Sequence, residues 1–362
     1  MQDCQAAQQN RAIASNHAVA TCHYPGYAMS TETIFDLMYV HSPITYSIGR
    51  HLHDNGYLKN RPFVVCGRNT RWDGPHIEVA DDGIWEMERV GDFLETICRG
   101  LEEQAQGHGD IGLHLYVPHS GYLAGKLLKL SGLVRKVFYL EEGDAAYNPA
   151  NVTQAWPSRE VDVDALIAML EARGIMETLK LDRTGLREIN SMKSFFFDAA
   201  HANYGGAYCI SPQAFTLLSN VTVLALDPIE IIPEGENIWL CMLPNIINLH
   251  ATHAKNKPLL DKMIYGIVMM LRTQSALLNN VGGSLIIKFH PSDDVHLNPD
   301  FKNEMYRYGT AYQDFFEMNE FEIGHEPSLY NFSKFVVINP SSAVRYIKQL
   351  QGEDKFIGIK LD

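Results

Sequence analysis

Apolar and polar positions along the chain change period in a regular succession. "TIFDLMYVHSPI" is a mostly apolar run that reads as a buried strand, and "SIGRHLHDNG" continues as a helix until Gly56 stops it. "PFVVCGRN" is a second strand. "VGDFLETICRGLEEQ" repeats apolar residues at helical spacing, with Val90, Phe93, Leu94, Ile97 and Leu101 on one face. Strand "IGLHLYVPHS", helix "GYLAGKLLKLSG" and strand "KVFYLEEG" follow without long gaps. Strand and helix in alternation predict a parallel sheet with helical crossovers.

From about 150 to 220 the pattern reads as mainly helical, as in "DALIAMLEARGI". "DPIEIIPEGEN" then sets two prolines and a glycine among charges and reads as a linker between domains. Beyond it the alternation resumes: strand "NIWLCMLPNI", a helix from Pro258 to about Asn280, strand "SLIIKFHP", a helical section, strand "KFVVINP" and helix "SSAVRYIKQL". No element is read after that helix, and no internal repeat is apparent. The expected fold class is α/β, with two Rossmann-like domains facing across a cleft. Residues 1–30 form a polar lead-in, 31–230 the first domain and 231–362 the second. In such folds ligands sit at the carboxyl ends of strands.

Composition narrows the function classes. The chain has 362 residues, 46% apolar and 20% charged, with a formal net charge of −13. That balance disfavours nucleic acid and anionic lipid as partners, so an anionic substrate would need a local basic site. Cys4, Cys22, Cys66, Cys98, Cys209 and Cys241 are widely spaced, several in apolar runs, and read as reduced core thiols. The N-terminal residues show no basic-then-apolar leader, and "MIYGIVMML" is too short to span a bilayer.

Three motifs end predicted strands. Glu141-Glu142-Gly143 puts paired carboxylates on a sheet rim. Glu142 can take a proton from a hydroxyl if burial or its neighbour lifts its pKa toward neutrality, and Gly143 allows a sharp turn. Taken alone, the triplet is more simply explained as a solvated turn. His290-Pro291 can donate to a phosphate oxygen, with Lys288 on the same strand face adding positive charge; a satisfied turn histidine is the plain alternative. In "NPSSAVRYIKQL" Ser341 is a natural N-cap, and helix amides with the Ser341 and Ser342 hydroxyls form an anion site. Capping accounts for one serine and leaves the other free. Glu326 in "IGHEPSLYN" can accept both ribose hydroxyls, or be a surface glutamate before a helix. Asp162 is best explained as a helix cap, and His250 and His253 lack further ligands for a metal. No Walker A loop, dinucleotide fingerprint or Gly-x-Ser-x-Gly elbow is present.

In this order the three motifs resemble those of the bacterial sialyltransferases of GT-B type, which carry an acidic pair with glycine, a His-Pro pair and a Ser-Ser or Ser-Thr pair. The resemblance covers the layout from about Thr31 onward, but its specific part is some ten residues. It implies that Glu142 is the general base, supported by Glu141 and Gly143. It further implies that His290 contacts the donor phosphate, that Pro291, Lys288, Ser341 and Ser342 help bind it, and that Glu326 holds the cytidine ribose. Many relatives carry aspartate where this chain has Glu142, which moves the base by about one methylene. The implied activity is inverting transfer of sialic acid from CMP-sialic acid to a terminal sugar, galactose foremost, of a surface glycan such as capsule or lipooligosaccharide. Histidine, helix amides and hydroxyls absorb the phosphate charge, so neither metal nor cofactor is expected. The expected partners are a nucleotide-sugar donor and a glycan acceptor. The expected location is cytoplasmic, with peripheral association at the inner membrane left open. Transfer of another CMP-ulosonic acid such as Kdo, a two-lobed sugar-nucleotide epimerase, and a non-catalytic binding module stay open beside it.

Overall fold

The computed structural model describes residues 32–362 apart from 69, 71, 157–158, 231, 244–255, 289–324, 339–341 and 361–362. Glu32–Asp362 form one compact unit that holds two sheets, both parallel throughout. The first has seven strands: β1 (Thr33–Val40), β2 (Arg61–Cys66), β3 (Ile77–Glu78), β4 (Ile111–Val117), β5 (Val134–Leu140), β6 (Tyr204–Cys209) and β7 (Val221–Val223). Their spatial order is 3-2-1-4-5-6-7, so the winding reverses between β1 and β4. Helix α1 (Pro43–Asp54) links β1 to β2, α2 (Met87–Ala105) links β3 to β4, and α3 (Leu123–Leu130) links β4 to β5.

Alternation within the strands gives the sheet two apolar faces. Phe35, Leu37 and Tyr39 of β1 join the core under α2, where all five apolar residues of its predicted face are buried. Met38 and Val40 point the other way, to a second cluster with Ile44, Ile48 and Leu52 of α1. Helix α4 (Val163–Ala172) adds Leu166, Ile167 and Leu170 to the first face. Asp162 caps it as expected, accepting from the Ala165 amide at 3.0 Å.

The second sheet has four strands, ordered β11-β10-β8-β9, from β8 (Asn237–Met242), β9 (Gly283–Lys288), β10 (Lys334–Ile338) and β11 (Phe356–Ile359). Helix α5 (Lys257–Asn279) covers one face through Ile267, Leu271 and Leu278, and α6 (Ala343–Leu350) covers the other through Ala343 and Ile347.

Two expectations need correction. The segment from 150 to 220 is not mainly helical, since it also supplies β6. Its "YGGAYC" lacks a strand-like apolar run because glycine is required: a Cβ on Gly205 would come within 2.7 Å of the Phe138 ring. Strand β7 closes the same stretch, and β11 follows the last helix, where none was read. The described thiols of Cys66, Cys98, Cys209 and Cys241 are free and buried, and burial pushes each up to about 12. Cys4 and Cys22 lie outside the described residues. Among the described residues no helix is long and apolar enough to cross a membrane.

Candidate active site

A reversal of winding leaves a crevice at the carboxyl ends of the two strands that flank it. Here His41 follows β1 and His119 follows β4, with Glu142 at the end of neighbouring β5. Local sequence fixes each of them. Ser42 and Pro43 start α1 with a reciprocal capping box to Thr45, and the His41 amide donates to Thr45 Oγ1 at 3.1 Å. The His119 ring lies against Tyr122 and Phe196, with ring centres 4.7 and 4.5 Å away. The adjacent Ser120 is held by Tyr139 through a 2.7 Å hydroxyl contact.

His41 Nε2 donates to Glu142 Oε1 at 2.5 Å. His119 Nε2 stands 3.9 Å from Glu142 Oε2 and 3.7 Å from Asp82 Oδ2. Burial pushes the Glu142 carboxyl up, but the charge and hydrogen bond of His41, then His119 and Arg68, bring it down to about 2. The expectation of a base lifted toward neutrality is therefore corrected: this carboxylate is ionised across the physiological range. Burial lowers His119, against the pull of Glu142 and Asp82. The neighbouring Glu141 points the other way and is wholly buried. It accepts from Tyr147 Oη at 2.6 Å and from the Ile210 amide at 2.7 Å, while burial raises its carboxyl. One carboxylate of the pair anchors the fold and the other faces the histidines.

Gly143 has φ +46°, and a Cβ there would lie 3.2 Å from Ser342 Oγ, so glycine lets two motifs 199 positions apart in sequence touch. Ser342 sits at the start of α6, yet its side chain makes no capping hydrogen bond. The rest of α6 lies along the same turn. The Arg345 guanidinium stacks 3.8 Å over Tyr147 and pairs with Asp144, Tyr346 joins the core of the first sheet, and Gln349 donates to the Ile210 carbonyl at 2.8 Å.

Among the described residues six buried side-chain polar atoms lack a hydrogen-bond partner: Tyr39 Oη, His41 Nδ1, His119 Nδ1, Glu142 Oε2, Arg345 Nε and Tyr346 Oη. All six belong to this rim or to the helix lying on it. Buried polar groups are nearly always paired, so such a cluster marks a place built for something other than stability.

The remaining sequence candidates divide. Lys288, the half-buried last residue of β9, and the buried Glu326 interact electrostatically. Burial drives Glu326 up to about 7 despite Lys288, and lowers Lys288 despite Glu326. Glu326 is 5% exposed, so the surface-glutamate alternative is excluded. Its amide donates to Ser47 Oγ of α1 at 2.8 Å. His290, Pro291 and Ser341 lie outside the described residues, as do His250 and His253.

His41, His119 and Asp82 were not singled out from sequence. A signal was present: "YVHS" and "YVPHS" end two strands alike, with His-Ser after Tyr-Val, and the sheet order makes those strands neighbours.

No family model matches the sequence, and no curated protein matches it. Among solved structures, a sialyltransferase from Photobacterium damsela aligns with 91% of this chain and 82% of its own, at a TM-score of 0.38 and 10% identity.

Proposed function

We propose that the protein is an inverting, metal-independent sialyltransferase, with CMP-sialic acid as donor and a terminal galactose of a surface glycan as acceptor. The observation that carries this reading is the state of Glu142: ionised, one oxygen held by His41, the other without a partner opposite His119. An acceptor hydroxyl seated between Glu142 Oε2 and His119 Nε2 reaches both. As its oxygen bonds to the anomeric carbon, the bond from that carbon to the CMP phosphate breaks, and CMP leaves with the electron pair. The hydroxyl proton passes to Glu142. A carboxylate is a weak base, but the hydroxyl becomes strongly acidic as it bonds to a cationic carbon, so a permanently ionised acceptor of the proton suits a reaction led by bond breaking.

The contact of Gly143 with Ser342 supports a donor phosphate close to this turn. In the proposal Ser341, Ser342, His290, Pro291 and Lys288 receive that phosphate, and His290 donates to it as charge builds. Glu326 holds the cytidine ribose, which requires donor binding to uncover a side chain that is buried in the free protein. The enzyme works in the cytoplasm.

The test is incubation with CMP-sialic acid and lactose, reading CMP release and sialyllactose. Product lost in Glu142→Gln, with CMP binding kept, is the expected result. Transfer from CMP-Kdo alone would move the assignment to another ulosonic acid, isomerisation of a UDP-sugar without transfer would make it an epimerase, and binding without turnover would leave a non-catalytic module.

A further inference from the structure

The three side chains at the first rim also make a donor set of another kind. His41, His119 and Glu142 each present one nitrogen or oxygen, and these atoms lie within 4.8 Å of one another. Two imidazoles and one carboxylate, with a fourth position open, are ligands that zinc accepts. Bonds of about 2.0–2.2 Å set neighbouring ligand atoms of a tetrahedral ion about 3.4 Å apart. The 3.9 Å between His119 Nε2 and Glu142 Oε2 is close to such an edge, and the 2.5 Å hydrogen bond from His41 Nε2 to Oε1, the other oxygen of the same carboxylate, gives way when the ion takes that nitrogen. One further observation points to a ligand here: Glu142 Oε2, which faces His119 Nε2, is buried without a partner, and both histidines beside it are more than nine-tenths buried. When the ion takes His41 Nε2, it displaces the proton there, which is released to water.

We propose that His41, His119 and Glu142 form a zinc site whose occupation switches the enzyme off. Bound zinc takes the Glu142 oxygen that the acceptor hydroxyl needs and fills the gap between it and His119. Asp82, 3.7 Å from the same nitrogen of His119, adds negative charge beside the site. The binding site stands on the geometry alone; the inhibition rests on Glu142 being the base.

The experiment is calorimetric titration of the chelator-treated full chain with zinc, beside His119→Ala, Glu142→Gln and, as a surface-histidine control, His53→Ala. One saturable site is expected in the wild type and in the control. Each of the other two variants should weaken it by more than the roughly tenfold typical of losing an outer-shell partner. Because those variants could lose structure, cobalt is added to the wild-type protein, where a four-coordinate visible spectrum abolished by excess zinc is expected. Absence of saturable binding, unchanged affinity in both site variants, or a six-coordinate cobalt spectrum overturns the site. Zinc should also raise the apparent KM for lactose, reversed by chelator; full transfer at saturating zinc overturns the switch. Zinc binding with the expected variant losses in a protein without any transferase activity supports the site and removes the transferase reading instead.

Discussion

Glu142 at the rim of the first sheet and Glu326 beside the last residue of β9 in the second are both carboxylates taken out of water, and their surroundings resolve that cost differently. Glu142 has two histidines and Arg68 around it, and their charge outweighs burial. Glu326 has one lysine that is itself driven toward neutrality by burial, and there burial wins. The difference teaches that location at a strand end does not decide what a carboxylate can do. The count and reach of its cationic neighbours do. A group held ionised is ready to receive a proton, whereas one that titrates near neutrality can donate or accept a hydrogen bond as its ligand requires.

The comparison breaks most visibly in turnover. Glu142→Gln keeps shape but removes the proton acceptor, and kcat for sialyl transfer should fall about 10²–10⁴-fold with CMP affinity retained. Glu326→Gln, by contrast, should act on the KM for donor, by roughly five- to tenfold for one ribose hydrogen bond. Equal effects of the two changes on kcat, measured side by side, would end the division of labour.

Next in size is the partner of Glu142 in the acidic pair. Glu141→Ala leaves the Ile210 amide and the Tyr147 hydroxyl unpaired in the interior and should cost about 3 kcal/mol in urea unfolding. Glu142→Ala should cost less, because its place on the rim can admit water.

The two carboxylates should also give stability profiles of opposite slope. Glu142 titrates in the folded protein at about 2, below its ordinary 4.5. Its contribution is full above 4.5 and is lost as pH falls toward 2. Glu326 titrates at about 7, above 4.5, so between those values the folded chain holds an extra proton. Its contribution is full below 4.5 and is lost as pH rises through 7. Thermal melts across pH should therefore show Glu326→Gln flattening the slope between 4.5 and 7, and Glu142→Gln flattening it only in acid.

The smallest change is Gly143→Ala. A left-handed residue with a Cβ costs about 1–2 kcal/mol, and the new methyl meets Ser342. Activity should drop more than stability does, since the contact between the two motifs is what is disturbed; a loss in stability alone would detach that contact from catalysis.

Much of this was legible in the chain. Strands β1, β2, β4 and β5 announced themselves because both their faces are buried, so their apolar runs are unbroken. Helix α2 showed its buried face at helical spacing, and α5 its length. Strand β6 was hidden because packing against Phe138 demands glycine where a strand normally shows side chains. The acidic motif was legible as a rim turn, but the pKa of Glu142 was not, since the sequence does not reveal that His41, 101 positions away, donates to it. A single histidine after a strand carries no mark of its partner. Only the order of β1 and β4 in the sheet joins the two His-Ser pairs into one site.

Helix α6 is contiguous in sequence with β10, yet Tyr346 is buried in the core beneath β1 and Gln349 is bonded to the backbone just past β6. The final helix thus works as a latch sewn from one half into the other. Chimaeras that exchange the C-terminal sheet between relatives must therefore import the groove that receives this latch, and proteolytic trimming just ahead of Ala343 would unfasten the acidic turn while taking only the edge strand β11 from the second sheet.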